Sequence, residues 1–246
     1  MERGENLSSN EKLSPIQSKE DAIVFLNQMI VLTYRRMARL NEIIRDIENV
    51  IKLYKNKERI ETKVFRDCVD KSENTILFLM NIFGDETKNV VSYKQFRKIL
   101  HKKYENGFTE FELVPLNREI VELLDKCREE RNWSHHIPQS LFVCQKKHIE
   151  KYHSITNKLV NKVFSDEEIF VSEWEYHEIE WLNNLYEANI GYKKVFQKIF
   201  QYMKKDYSKL VGKSMCIMKS KEQNPRPFEF IKIAEDSFAA NTNKRR

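Results

Sequence analysis

Turn formers are scarce in this chain: its 246 residues include 5 glycines and 5 prolines. That scarcity argues against a loop-rich fold and fits long helices joined by few connections. The 4 cysteines, Cys68, Cys127, Cys144 and Cys216, are scattered and show no pairing motif. No apolar run approaches the roughly 18 residues that a membrane span needs, and Met1 to Gln17 is polar rather than signal-like. Together these absences lead to the expectation of a soluble cytoplasmic protein with free thiols and no membrane association. There is also no Gly-rich phosphate loop, no Ser-centred nucleophile elbow and no nucleotidyltransferase signature, which removes several common enzyme classes.

What is present is charge and helical periodicity. A formal net charge of +6 permits nucleic-acid or acidic partners without establishing either. Much of the excess lies late, at Lys193, Lys194, Lys198, Lys204, Lys205, Lys209 and Lys213, and in the tail Lys244-Arg245-Arg246. Residues 1–17 read as a disordered leader, 18–212 as a helical bundle, and 213–246 as an extension with a basic tail. Ser18 with Asp21 forms a plausible helix cap. Beyond it Met37, Leu40, Ile44, Ile47, Ile51 and Tyr54 repeat at spacings of three and four, a seam that wants another helix against it. Further helices are expected over 59–83, with Gly84 as a C-terminal stop, and over 87–104.

After a turn and short extended connection over 105–115, the helix expected over 116–134 is followed by one from about residue 139, with Cys144 and His148 on its stripe. A last long helix is expected over 168–210, with a stripe of Trp174, Trp181, Leu185, Ala188, Tyr192, Phe196, Ile199 and Met203. In the extension, Met215 to Met218 and Phe228 to Ile233 flank Asn224-Pro225-Arg226-Pro227, a pattern that fits a β-hairpin.

The most informative stretch ends the fourth helix: Arg131-Asn132-Trp133-Ser134-His135-His136-Ile137-Pro138. The apolar stripe Leu116, Ile120, Leu123, Leu124, Cys127 continues to Arg131. A charge at a core-facing position is costly unless it is paired or reaches solvent. Two readings account for it here: a phosphate site, or an arginine that buries its stem and extends its head into water. Arginine offers a planar, permanently charged fork suited to phosphate oxygens. Histidine takes and gives protons near neutral pH. Because RNA supplies its own 2′-hydroxyl nucleophile, arginine and histidine at one phosphate can cut RNA without metal, with arginine stabilising the transition-state charge. Arg131 and His135 share a helix face. Arg131 and His136 lie about 140° apart on an ideal helix and meet only if the helix ends first, which Pro138 favours.

These residues resemble a known family. Arg131-Asn132-Trp133-Ser134-His135-His136 matches the Arg-x4-6-His motif of the HEPN superfamily, all-α domains that include many metal-independent ribonucleases, and a polar Asn after the arginine is common there. The spacing Arg128-x6-His135 also fits the loose pattern but lacks the polar follower. The resemblance implies an all-α antiparallel bundle of five to six long helices. It also implies a homodimer whose two motifs face each other across a two-fold axis in one composite cleft. The helices are longer than in a minimal HEPN domain, and the C-terminal extension has no counterpart in that core.

The leading expectation is therefore a metal-independent endoribonuclease of a bacterial defence, toxin or stress system, with RNA or nucleotide phosphate as ligand and a cognate antitoxin or regulatory protein as partner. Arg131 would bind phosphate, His136 would act as base or acid, Asn132 would orient, and His135 could replace His136. The rival is a non-catalytic HEPN-like module binding nucleotide, RNA or a protein. Arginines reachable from solvent in a cleft mark the first; an Arg131 paired with Glu129, Glu130 or another acid in a closed interface marks a structural role for the motif. A helical scaffold with an accidental motif is a third. No cofactor and no metal centre is expected: Cys144 and His148 share a helix face but have no second close pair except His135-His136.

Overall fold

The computed structural model describes residues 16–86, 91–135 and 175–214. The chain divides into two compact units, 1–214 and 215–246, and the second lies wholly outside the described residues. So do the expected leader up to residue 15, the helix expected from residue 139 with Cys144 and His148, and the hairpin segments. Ile16, within the expected leader, is fully buried.

The described part is mostly helical, as the periodicity predicts. Five helices and two short strands follow in the order α1 (Lys19–Leu53), β1 (Arg59–Glu61), α2 (Thr62–Gly84), α3 (Tyr93–Glu105), α4 (Arg118–His135), β2 (Tyr176–Glu178) and α5 (Ile179–Val211), with a single 3-10 turn at Thr109–Phe111 before α4. Ser18 caps α1 reciprocally: its hydroxyl accepts from the Asp21 amide, and the Asp21 carboxylate accepts from the Ser18 amide. Packing along α1 are α5 and α2, and α2 in turn carries α4. The α1–α5 pair is antiparallel, since Asn27 bonds Tyr207 at 3.2 Å near one end while Ile43 and Ile47 meet Leu182 near the other.

Three sequence expectations are corrected. Arg59–Glu61 is a strand, not the first turn of α2; it pairs antiparallel with Tyr176–Glu178, placing the half-buried His177 opposite the buried Ile60. Helix α3 begins at Tyr93, because the Ser92 hydroxyl takes the Gln95 amide and caps it there. The stripe of α5 changes phase in its N-terminal half, where Leu182 and Asn189 are buried and Trp181 is 44 % exposed. Gly191 lies inside α5 without interrupting it, and Gly212 ends that helix in the left-handed conformation at φ 74°.

The core that supports α4 is aromatic. Phe83, Tyr93, Phe96 and Phe196 are fully buried, each contributing about 1.5–3 kcal/mol through burial, and Phe83 and Phe196 lie 5.6 Å apart. A buried polar network fixes where α4 starts. The Tyr93 hydroxyl donates to Asp206 at 2.6 Å, and Arg97 bonds the same carboxylate. The other Asp206 oxygen accepts the Val114 amide at 3.1 Å, while Arg97 donates to the Val114 carbonyl at 2.5 Å. Both polar groups of one connecting residue are thereby satisfied, as a buried backbone requires. Asn117 then caps α4 by accepting the Ile120 amide at 3.0 Å.

Candidate functional site: the end of helix α4

Helix α4 lays its predicted stripe into the core: Ile120, Leu124 and Cys127 are nearly inaccessible, and Arg131, the next position, is 9 % exposed. The arginine head therefore does not extend into water. It meets the C-terminal end of α2, where Asn81 and Asp85 stand four residues apart and present two oxygens along one line. The Arg131 guanidinium donates from Nη2 to Asp85 Oδ2 at 3.0 Å, from Nε to Asn81 Oδ1 at 3.2 Å, and from Nη1 to Asn132 Oδ1 at 3.0 Å. With side chains 11 % and 8 % exposed, Arg131 and Asp85 form a buried ion pair. Each partner offsets part of the burial penalty the other would carry alone.

The close approach of α2 and α4 depends on Gly84. A Cβ built there would lie 2.6 Å from the Arg128 backbone nitrogen and 3.0 Å from its Cα. Gly84 is thus the last residue of α2 and not a left-handed stop beyond it; Gly107 and Gly212 are the positive-φ glycines among the described residues. Its lack of a side chain lets α4 ride directly on the α2 backbone, and this crossing brings Arg131 down onto Asp85.

Glu86, next in sequence, lies past the end of α2 and gathers a second set of charges. Lys98 bonds it, Lys94 lies 3.4 Å away, and Arg128, one turn before Arg131 on α4, lies 3.4 Å away. Lys94 also donates to Asp125 at 2.6 Å. Burial pushes the Glu86 pKa up, but the hydrogen bond from Lys98 and the nearby positive charges outweigh it and leave the group at about 2. On the core-facing stripe of α4, burial pushes the Cys127 thiol up to about 12, with the Glu130 carboxylate adding to the shift, which disfavours the reactive thiolate. Burial, then a hydrogen bond with Glu130, raises Tyr192.

Of the four residues singled out by sequence, Arg131 and Asn132 are brought together. Asn132 is exposed and bonds Arg131 itself. The helix continues through His135, whose side chain, like all of His136, lies outside the described residues; so does the break expected at Pro138. Sequence reasoning missed Asn81, Asp85 and Glu86 and read Gly84 only as a helix stop. The trace of them was Arg131 itself, because a charge on a core stripe calls for a buried acid, and two acids directly follow the expected end of α2. Among the described residues no group of three His, Cys, Asp or Glu side chains could hold a metal ion, and no helix is long and apolar enough to cross a membrane. Comparisons with protein-family models, with curated proteins and with solved structures each find no match.

Proposed function

We propose that the chain is a non-catalytic HEPN-like module that binds RNA, and that Arg131 serves it as the bolt between α2 and α4. The observation that carries the non-catalytic part of this reading is the buried pairing of Arg131 with Asp85. A guanidinium that stabilises a scissile phosphate must offer its charge to the substrate, and here that charge is already balanced inside a closed helix–helix contact. RNA as ligand is supported by the net charge of +6; the cations beside the motif, Lys94, Lys98 and Arg128, are paired with Glu86, Asp125 and Glu129 and are offered to a phosphate when a carboxylate gives way. The test is gel retardation of labelled single-stranded RNA in EDTA. Retarded but intact RNA is expected; cleavage by the wild type that disappears in an Arg131→Ala/His136→Ala variant would overturn the reading.

The second reading is the metal-independent endoribonuclease, and a specific observation favours it. Arginine has five N–H donors, of which three are used by Asn81, Asp85 and Asn132. One donor on each terminal nitrogen is unclaimed among the described residues. In that reading Asp85, Asn81 and Asn132 hold the fork in place, and His136 is base or acid with His135 as its substitute. A homodimer would then join two such sites at one phosphate.

A further inference from the structure

Three cations converge on Glu86: Lys94, Lys98 and Arg128 arrive from two different helices. Asp125 is shared by Lys94 and Arg128 at 2.6 and 3.5 Å, and Glu129 lies 3.7 Å from Arg128, so three positive groups are matched by three carboxylates. Access to this cluster is graded: the Lys94 side chain is 14 % exposed, Arg128 34 % and Lys98 56 %. A ligand would therefore meet an exposed lysine and an arginine fork at the surface and a largely desolvated ammonium behind them. Glu86 differs from its neighbour Asp85 in two ways. It stands beyond the last helical residue, so it can leave without unwinding α2, and its side chain keeps 25 % of its exposure against 8 % for Asp85.

We propose that Lys94, Lys98 and Arg128 form a seat for one backbone phosphate of RNA, occupied in the free protein by the Glu86 carboxylate. A phosphodiester carries one negative charge, as Glu86 does, so exchange keeps the cluster balanced and returns the carboxylate to water. The arginine fork can take two phosphate oxygens while the lysines act as point charges. This seat rests on the RNA-binding reading of the chain, and it lies one helical turn from Arg131 on the same face of α4.

The experiment measures binding of a fluorescein-labelled single-stranded RNA by anisotropy across a salt series. The proteins are the full-length wild type, Glu86→Gln, Lys98→Ala, Arg128→Ala and the control Glu122→Gln. Glu122 is a 62 % exposed acid on α4 that pairs with Arg118 and not with the seat, so its removal reports the general effect of one lost charge. Emptying the seat in Glu86→Gln should tighten binding at least about threefold beyond Glu122→Gln, because a resident competitor lowers apparent affinity by the fraction of sites it fills. Lys98→Ala should reduce the slope of log K against log salt by up to about 0.7, the loss of one single-strand phosphate contact. Its exposed side chain keeps the test valid even where Arg128→Ala fails to fold. Equal affinities for Glu86→Gln and Glu122→Gln with an unchanged slope in Lys98→Ala would overturn the seat while leaving RNA binding standing. A wild type that retains no RNA at low salt would overturn both. An equal Glu86→Gln gain for a polyglutamate peptide would assign the seat to acidic peptides and overturn the RNA assignment.

Discussion

Separating Arg131 from Asp85 should be among the most damaging changes this fold can suffer. The side chains are 11 % and 8 % exposed and their charged atoms lie 3.0 Å apart, so removing either takes the opposite charge from its partner in a site that water barely reaches. Breaking such a buried pair costs about 3–5 kcal/mol. The Asp85 variant is relieved of one further burden and the Arg131 variant is not: Asp85 stands at the C-terminal end of α2, where the helix dipole disfavours a carboxylate, so Arg131→Met should sit at the upper end of that range. In thermal unfolding, where 1 kcal/mol corresponds to about 2–4 °C for a chain of this size, the expected loss is about 6–20 °C. Removing both charges in Arg131→Met/Asp85→Ala should restore at least about 2 kcal/mol relative to the sum of the single losses. Urea unfolding of the four proteins closes the cycle. Single variants within about 0.5 kcal/mol of wild type, or strictly additive losses, would refute the bolt.

Three further predictions follow from the same corner of the molecule. Gly84→Ala should destabilise by about 1–3 kcal/mol through overpacking against the α4 backbone, whereas Gly191→Ala, with nothing within 4 Å of the new methyl, should gain up to about 1 kcal/mol of helix propensity; paired thermal melts compare them. The folded-state pKa of Glu86 is depressed to about 2, so its contribution is fully present above the ordinary carboxylate pKa and is lost as pH falls from about 4.5 towards about 2. Stability measured over that window should fall less steeply in Glu86→Gln than in wild type. Cys127, with its thiol pushed up to about 12, should resist alkylation at pH 8 in the native protein and react after denaturation, as read by peptide mass spectrometry.

The helices were legible because their apolar positions repeat at helical spacing, and the stripe Ile120, Leu124, Cys127, Arg131 was read in the correct phase. Its charged member held the most information, since a core-facing arginine announces an acid elsewhere without saying where. The location escaped because it is tertiary: Asp85 and Arg131 are 46 positions apart and meet only through a crossing made possible by Gly84. Gly84 itself misled, because a glycine at a helix end suggests a left-handed stop, whereas here it answers a steric need from another helix. The strand Arg59–Glu61 escaped for a related reason. Its partner Tyr176–Glu178 is more than a hundred residues away, and three residues are too few for an alternating pattern. In α5 the aromatic Trp181 drew the expected stripe one position away from Leu182, since bulk and burial need not coincide on a helix that begins beside a sheet. The place of Arg131 was thus readable in the sequence, and its electrical environment was not.

That environment is the ground for proposing a module that holds RNA over an enzyme that cuts it. Incubation of purified wild type with end-labelled single-stranded RNA in EDTA, followed by resolution of the products and their termini, tests this most directly. The account predicts RNA that is bound and recovered at full length. Fragments ending in 2′,3′-cyclic phosphate, formed by wild type and absent with Arg131→Ala/His136→Ala of equal folding, would contradict it and establish the ribonuclease.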